Sequence, residues 1–165
     1  MTDSNRAGSS KGLRTLARND LNGYGDGMQV MRAGDAVYVG HFGPSGMGTS
    51  VLDASDPTDL RLVTQWKAPS GSHTHKVQVA DGLLLVNHER FPYRPRKPLG
   101  PHSAGVAIYA LDDPFAPKQI GFWECGGKGI HRINLASHNS NPVKIRLIGN
   151  GIGGRIRSGW ADSIP

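Results

Sequence analysis

Cysteine is almost missing from this sequence, with Cys125 the only one among 165 residues. A single thiol excludes an internal disulfide framework and fits a reducing compartment. Aromatic residues are sparse at 7%, and no basic-aromatic platform of the single-strand-binding kind is present. No run approaches the roughly 18 apolar residues needed to cross a bilayer. Met1 to Arg18 is polar and basic without an apolar core, which argues against a secretory leader. These absences together predict a cytoplasmic protein with no membrane partner. Hydrophobic residues at 37% and charged residues at 19% also exclude a highly charged disordered chain.

Glycine and proline are abundant, with 23 Gly and 11 Pro. That implies many turns and few long helices. The net charge of +6 is uneven along the chain. Up to Ile133 there are 15 Lys and Arg against 12 Asp and Glu, and Lys144, Arg146, Arg155 and Arg157 oppose only Asp162 beyond it. A nearly balanced front part with a basic tail argues against nucleic acid as the partner.

An internal repeat organises the chain. Val51–Pro57 (VLDASDP) matches Ile108–Pro114 (IYALDDP) at an offset of 57, which carries on through Arg61/Lys118, Val63/Ile120 and Trp66/Trp123. At an offset of 47, Met28–Arg32 matches His75–Val79, and Ala36–His41 (AVYVGH) matches Leu83–His88 (LLLVNH). A third copy starts at Ile130–Ile133.

Each full unit holds four runs of strand character. They are Met28–Arg32, Asp35–Gly40, Thr49–Asp53 and Arg61–Lys67 in the first, and His75–Ala80, Leu83–Asn87, Gly105–Ala110 and Lys118–Glu124 in the second. Ala33-Gly34-Asp35 and Ala80-Asp81-Gly82 read as tight hairpins, and Asp56-Pro57 and Asp113-Pro114 as turns. The pattern predicts an all-β protein of four-stranded antiparallel β-propeller blades, two complete plus the start of a third.

The repeated Val51–Pro57 and Ile108–Pro114 segments, with Asp26–Met31, Ala36–His41 and His75–Asn87, resemble the LVIVD repeat of bacterial propeller proteins. The resemblance spans Leu21 to Ile133 and implies a propeller fold while leaving activity open. It divides the chain into a polar extension (1–20), a partial propeller (21–133) and a non-repeat, basic, Gly-rich tail (134–165). Family members carry several more blades, so the chain reads as part of a longer, truncated or frame-shifted protein. Open blade edges then predict self-association.

Propeller topology brings the second-to-third-strand loops and the blade-to-blade loops to one face. His41, His73, His75, His88, His102 and His131 are all expected there. Neutral imidazoles ligate Zn²⁺, Cu²⁺ or Fe²⁺, so His41, His73, His75, His88 and His131 form the candidate metal set. His73 and His75 lie two apart on an extended segment and so face the same way. Asp26, equivalent to His73, adds a carboxylate. The leading functional expectation is a non-catalytic scaffold binding a small-molecule or protein ligand. The alternative is a metal-dependent, oxidase-like enzyme at the same face, and convergence of three imidazoles discriminates the two. Histidine-lined propeller channels of the methanethiol-oxidase (selenium-binding protein) type are similar at fold level.

Four other signals point to weaker readings. Gly149–Gly154 fits G-x-G-x-x-G, yet too few residues follow for the helix that a dinucleotide site needs. Cys125 reads as a free thiol rather than a nucleophile. Pro92, Pro95, Pro98 and Pro101, among Arg90, Arg94, Arg96 and Lys97, predict an exposed polyproline-II loop. Trp66 and Trp123, at equivalent outer-strand positions, are expected to pack between blades.

Overall fold

In the computed structural model, residues 11–43, 45–91, 100–136, 144–150 and 156–161 are described, those from 135 onward by backbone alone. Twelve strands are assigned among them, all pairs are antiparallel, and no helix occurs among these residues. The all-β class therefore holds. Among the described residues, no helix is long and apolar enough to cross a membrane.

The first sheet is a meander of β1 (Gly27–Ala33), β2 (Ala36–His41), β3 (Met47–Asp53) and β4 (Arg61–Lys67). In the second, β7 (Leu83–Arg90), β8 (Gly105–Ala110) and β9 (Lys118–Glu124) follow the same order. Its inner edge is split into β5 (Ser72–His73) and β6 (Val77–Ala80), both paired with β7. The third sheet joins β10 (Ile130–Ala136), β11 (Lys144–Asn150) and β12 (Ile156–Ala161). The inner strands β1, β6 and β10 lie side by side.

The hairpins follow from local chemistry. Ala80 pairs with Leu83, and both turn residues, Asp81 and Gly82, take positive φ. An Asp-Gly pair suits such a turn because its twist matches that of the flanking strands.

The repeat extends to the irregularities. Val63 in β4 and Ile120 in β9 are each the extra residue of a β-bulge, at the same offset that relates their sequences. The inner strands carry bulges too. Met28 is extra in β1 and His131 in β10. In the second sheet, Thr74–Lys76 stand opposite only Asn87 and His88. Bulges re-aim side chains, and these three occur where the inner strands meet.

Two apolar layers join the sheets. Ala36, Tyr38 and Val51 of the first sheet pack on Val77, Leu84, Val86, Ala107 and Tyr109 of the second. The opposite face of the second sheet, Leu85, Val106 and Ile108, packs on Ile130 and Ile133. The Tyr38 hydroxyl donates to Pro114 O at 2.7 Å, tying the first sheet to the second sheet's Asp-Pro turn. Burial, aided by the Asp113 charge, pushes the Tyr38 pKa up to about 12.

Two expectations need correction. Trp66 does pack across sheets, 5.4 Å from Tyr109, but Trp123 is 41% exposed. Repetition of a tryptophan does not bring a packing partner with it. The strand pattern also continues past Ile133: β10 runs to Ala136, and β11 and β12 pair with it. After β11 the chain forms β12, an antiparallel strand, where a dinucleotide site requires a helix. Gly151–Gly154 and the 92–99 part of the proline loop lie outside the described residues.

Candidate metal centre

Strand alternation selects which polar residues meet. Along β7, Asn87 and Glu89 share one face and His88 points to the other, because successive side chains alternate. Glu89 pairs directly with His73 across β5 and β7. The bulge beside it carries His75 into the same space, and the bulge in β10 carries His131.

Gly40 and Gly129 permit these close approaches. A Cβ on Gly40 would lie 2.8 Å from the His75 carbonyl carbon and from Thr74 O. Gly129 takes φ 90°, and a Cβ there would strike His88 O. Arg90 N donates to Lys128 O at 2.8 Å, so the segment leading to His131 is pinned to β7.

The result is a cluster around one carboxylate oxygen. Glu89 Oε2 lies 3.0 Å from His73 Nε2 and 3.0 Å from His131 Nδ1. His75 Nε2 is 3.9 Å from the same oxygen. Ligating atoms of His73, His75 and Glu89 all lie within 4.8 Å of one another. The His73 and His75 ring centroids are 4.2 Å apart, and those of His75 and His131 5.4 Å apart. His73, His75 and Glu89 are buried, whereas the His131 side chain is 44% exposed and forms the open side.

Aromatic rings bound the cluster. Phe91 stacks on His73 at 5.0 Å, and Phe42 lies 5.1 Å from His73 and 5.5 Å from His75. Burial, reinforced by the neighbouring His73, pushes the His75 pKa down to about 3. Burial alone would raise the Glu89 carboxyl, but hydrogen bonds from His73 and His131 outweigh it and hold the group below its ordinary value.

The donor set suits a borderline transition metal, namely imidazoles with one carboxylate. Two buried nitrogens, His75 Nε2 and His73 Nδ1, have no hydrogen-bond partner among the described residues. Buried polar atoms are otherwise almost always satisfied. One contact opposes metal binding. Asn87 is oriented by Lys76 N on its Oδ1 and by its donation to Ile130 O, both at 2.7 Å. Its amide nitrogen therefore faces His75 Nδ1, at 3.5 Å. Ligation through Nε2 would place the ring proton on Nδ1 against that amide. At this separation the contact is weak.

The other histidines lie in separate networks. His41 Nδ1 donates to Asp26 Oδ1 at 2.5 Å, and its Nε2 meets Ser50 Oγ at 2.6 Å. This order resembles a Ser-His-Asp relay, but Ser50 is fully buried and also accepts from Gln65 at 2.8 Å. An enclosed hydroxyl cannot reach a substrate, so the relay is structural. His88 meets Ser103 Oγ at 2.7 Å and packs 5.1 Å from Phe122. Burial lowers its pKa to about 4. His102 lies between Gly100 O and Gly127 O. Of the five candidate ligands, His73, His75 and His131 converge, whereas His41 and His88 point to the other faces of their sheets.

Glu89 and Asn87 escaped the sequence reading. The sequence pattern ends the second strand at Asn87 and puts Glu89 in a loop, whereas β7 runs on to Arg90. The first copy has Phe42 at the position equivalent to Glu89, so the repeat carried no signal there. A carboxylate next to a strand histidine was the available hint. Cys125 is exposed, and burial of its sulfur with the Glu124 charge nearby raises its pKa, the opposite of an activated nucleophile.

No family model matches the chain, and no curated protein matches it.

Proposed function

We propose that this protein is a propeller-type scaffold of the LVIVD kind that binds a transition-metal ion, Zn, Cu or Fe, through His73, His75 and Glu89, with His131 at the rim. The observation that carries this reading is the fully buried His75 Nε2, which faces Glu89 Oε2 without a hydrogen-bond partner among the described residues. The recurrence of bulges at repeat-equivalent positions and the adjacency of the three inner strands support the blade interpretation. An ion held there would act as a Lewis acid toward a small ligand arriving past His131. Phe42 and Phe91 would limit water at that point.

The test is titration of metal-stripped protein with Zn²⁺, Cu²⁺ and Co²⁺. One tight equivalent is expected, with Co²⁺ giving a ligand-field spectrum. His75→Ala and Glu89→Gln should weaken binding by at least about tenfold, while His41→Ala and His88→Ala bind as the parent does. Absence of stoichiometric binding for all three ions overturns the reading.

A second reading has its own support. Glu89 Oε2 meets both His73 and His131 at 3.0 Å, as in a purely structural knot joining β5, β7 and β10. A metal-free scaffold would then lose stability in Glu89→Gln without any metal-dependent property. Turnover of an oxidisable substrate that disappears with the metal would move the protein from scaffold to enzyme.

A further inference from the structure

A second site lies beside the cluster, on the residues that follow the inner-strand bulges. Gln29 follows Met28 in β1, Lys76 follows His75, and Arg132 follows His131 in β10. The repeat offset of 47 relates Gln29 to Lys76, and the matching His-Lys-Val and His-Arg-Ile segments relate Lys76 to Arg132. All three residues line one cavity of about 320 Å³, with Ile133 as the other wall residue among those described. Two cations and an amide therefore converge from three different sheets.

No acidic side chain among the described residues lines this cavity. Among the described residues, neither Lys76 nor Arg132 takes part in an ion pair. Lys76 is half-buried and Arg132 exposed, so the cavity is open to solvent, and no ion pair among the described residues balances its two cations. Like charges in one cavity repel, and a doubly negative ligand would relieve this. Arg presents a planar fork to oxyanion oxygens, Lys a compact charge, and Gln an amide N–H.

We propose that Gln29, Lys76 and Arg132 form a binding site for a tetrahedral oxyanion dianion of the phosphate class, free or as the terminal group of a small ester. The site uses no proposed metal ligand and stands independently of the metal reading.

The experiment is calorimetric titration of the metal-stripped, full-length chain with inorganic phosphate at constant ionic strength. Saturable binding of one phosphate is expected, with sulfate competing. The Lys76→Gln/Arg132→Gln double variant, its fold checked by circular dichroism, should bind at least tenfold more weakly, and each single variant should fall between. His41→Ala, which lies outside both sites, should bind phosphate as the parent does. The proposal fails if phosphate shows no saturable binding or if the double variant binds unchanged. It fails also if Glu89→Gln binds phosphate at least tenfold more tightly, which would place the anion on the imidazoles that the Glu89 carboxylate occupies. Tighter binding of succinate than of phosphate would overturn the tetrahedral class. A phenyl phosphate arm that binds no more weakly than phosphate would place the ester, rather than the free ion, in the site.

Discussion

His73 stands directly across from Glu89 in the β5–β7 pair, with its Nε2 3.0 Å from Glu89 Oε2. The same oxygen serves His131, 42 residues further along. One carboxylate thus links the inner edge of the second sheet to the start of the third, and its removal should be felt in both.

Glu89→Ala should lower unfolding stability by about 1–3 kcal/mol, because it strands two imidazole donors, one of them buried. Glu89→Gln should lose less, since its amide oxygen still accepts. Urea denaturation of the metal-stripped variants measures both. Equal stability for Glu89→Ala and the parent would show that the knot contributes nothing.

Acid should destabilise the protein well above the usual carboxylate range. Burial pushes the His75 and His88 pKa values down, to about 3 and about 4 against an ordinary 6.5. As pH falls below about 6.5, the unfolded chain binds protons at both rings and the folded chain does not. Stability then falls by up to about 1.4 kcal/mol per pH unit for each ring. The His88 contribution levels off near its folded value and that of His75 lower still. The depressed Glu89 carboxyl adds a further loss as pH drops below its unfolded value. Urea midpoints between pH 7 and 5 should decline, and the decline should be shallower in His88→Gln. A flat profile for the parent contradicts this.

Trp66 and Trp123 should differ despite their equivalence. Trp66→Ala removes a ring packed on Tyr109 and should cost roughly 3 kcal/mol. Trp123→Ala removes an exposed side chain and should cost about 0.5 kcal/mol. Thermal or urea melts of the two variants decide it, and similar losses would show that Trp123 has a hidden partner.

The outer face of the first sheet should recruit a second copy of the chain. Val30, Val37, Val39 and Leu52 line a cavity of about 520 Å³ there, together with the Arg18–Gly27 segment, and Val30 is 60% exposed. The repeat offsets map these four residues onto Val77, Leu84, Val86 and Tyr109, which in the second sheet are covered by the first. Light scattering after size exclusion should give a mass above 17.7 kDa that rises with concentration. Val30→Glu should shift it toward the monomer. A constant monomeric mass for the parent would refute the association.

Much of the architecture was legible because strand formation is local. Apolar runs rich in Val, Leu and Ile, separated by Asp-Gly and Asp-Pro turns, placed β2, β3, β4, β8 and β9 within a few residues. The bulges were less visible, since an extra residue leaves no mark in composition. In the second sheet the bulge cuts the expected His75–Ala80 strand back to Val77–Ala80, so that His75 joins the histidine cluster and Lys76 the neighbouring cavity. The end of β7 was misread because Glu89 and Arg90 look like loop residues until a partner strand and the Lys128 carbonyl hold them.

The lone cysteine, Cys125, is peripheral, exposed and with a raised pKa. By itself the sequence determined the all-β class, the hairpins and the recurrence of histidines, because strand propensity, turn chemistry and repetition are properties of neighbouring residues. Only the tertiary structure decided that His73, His75 and His131 meet at Glu89 while His41 and His88 do not. Those partners depend on strand parity, on one extra residue in each inner strand, and on the packing of three sheets, none of which acts between sequence neighbours.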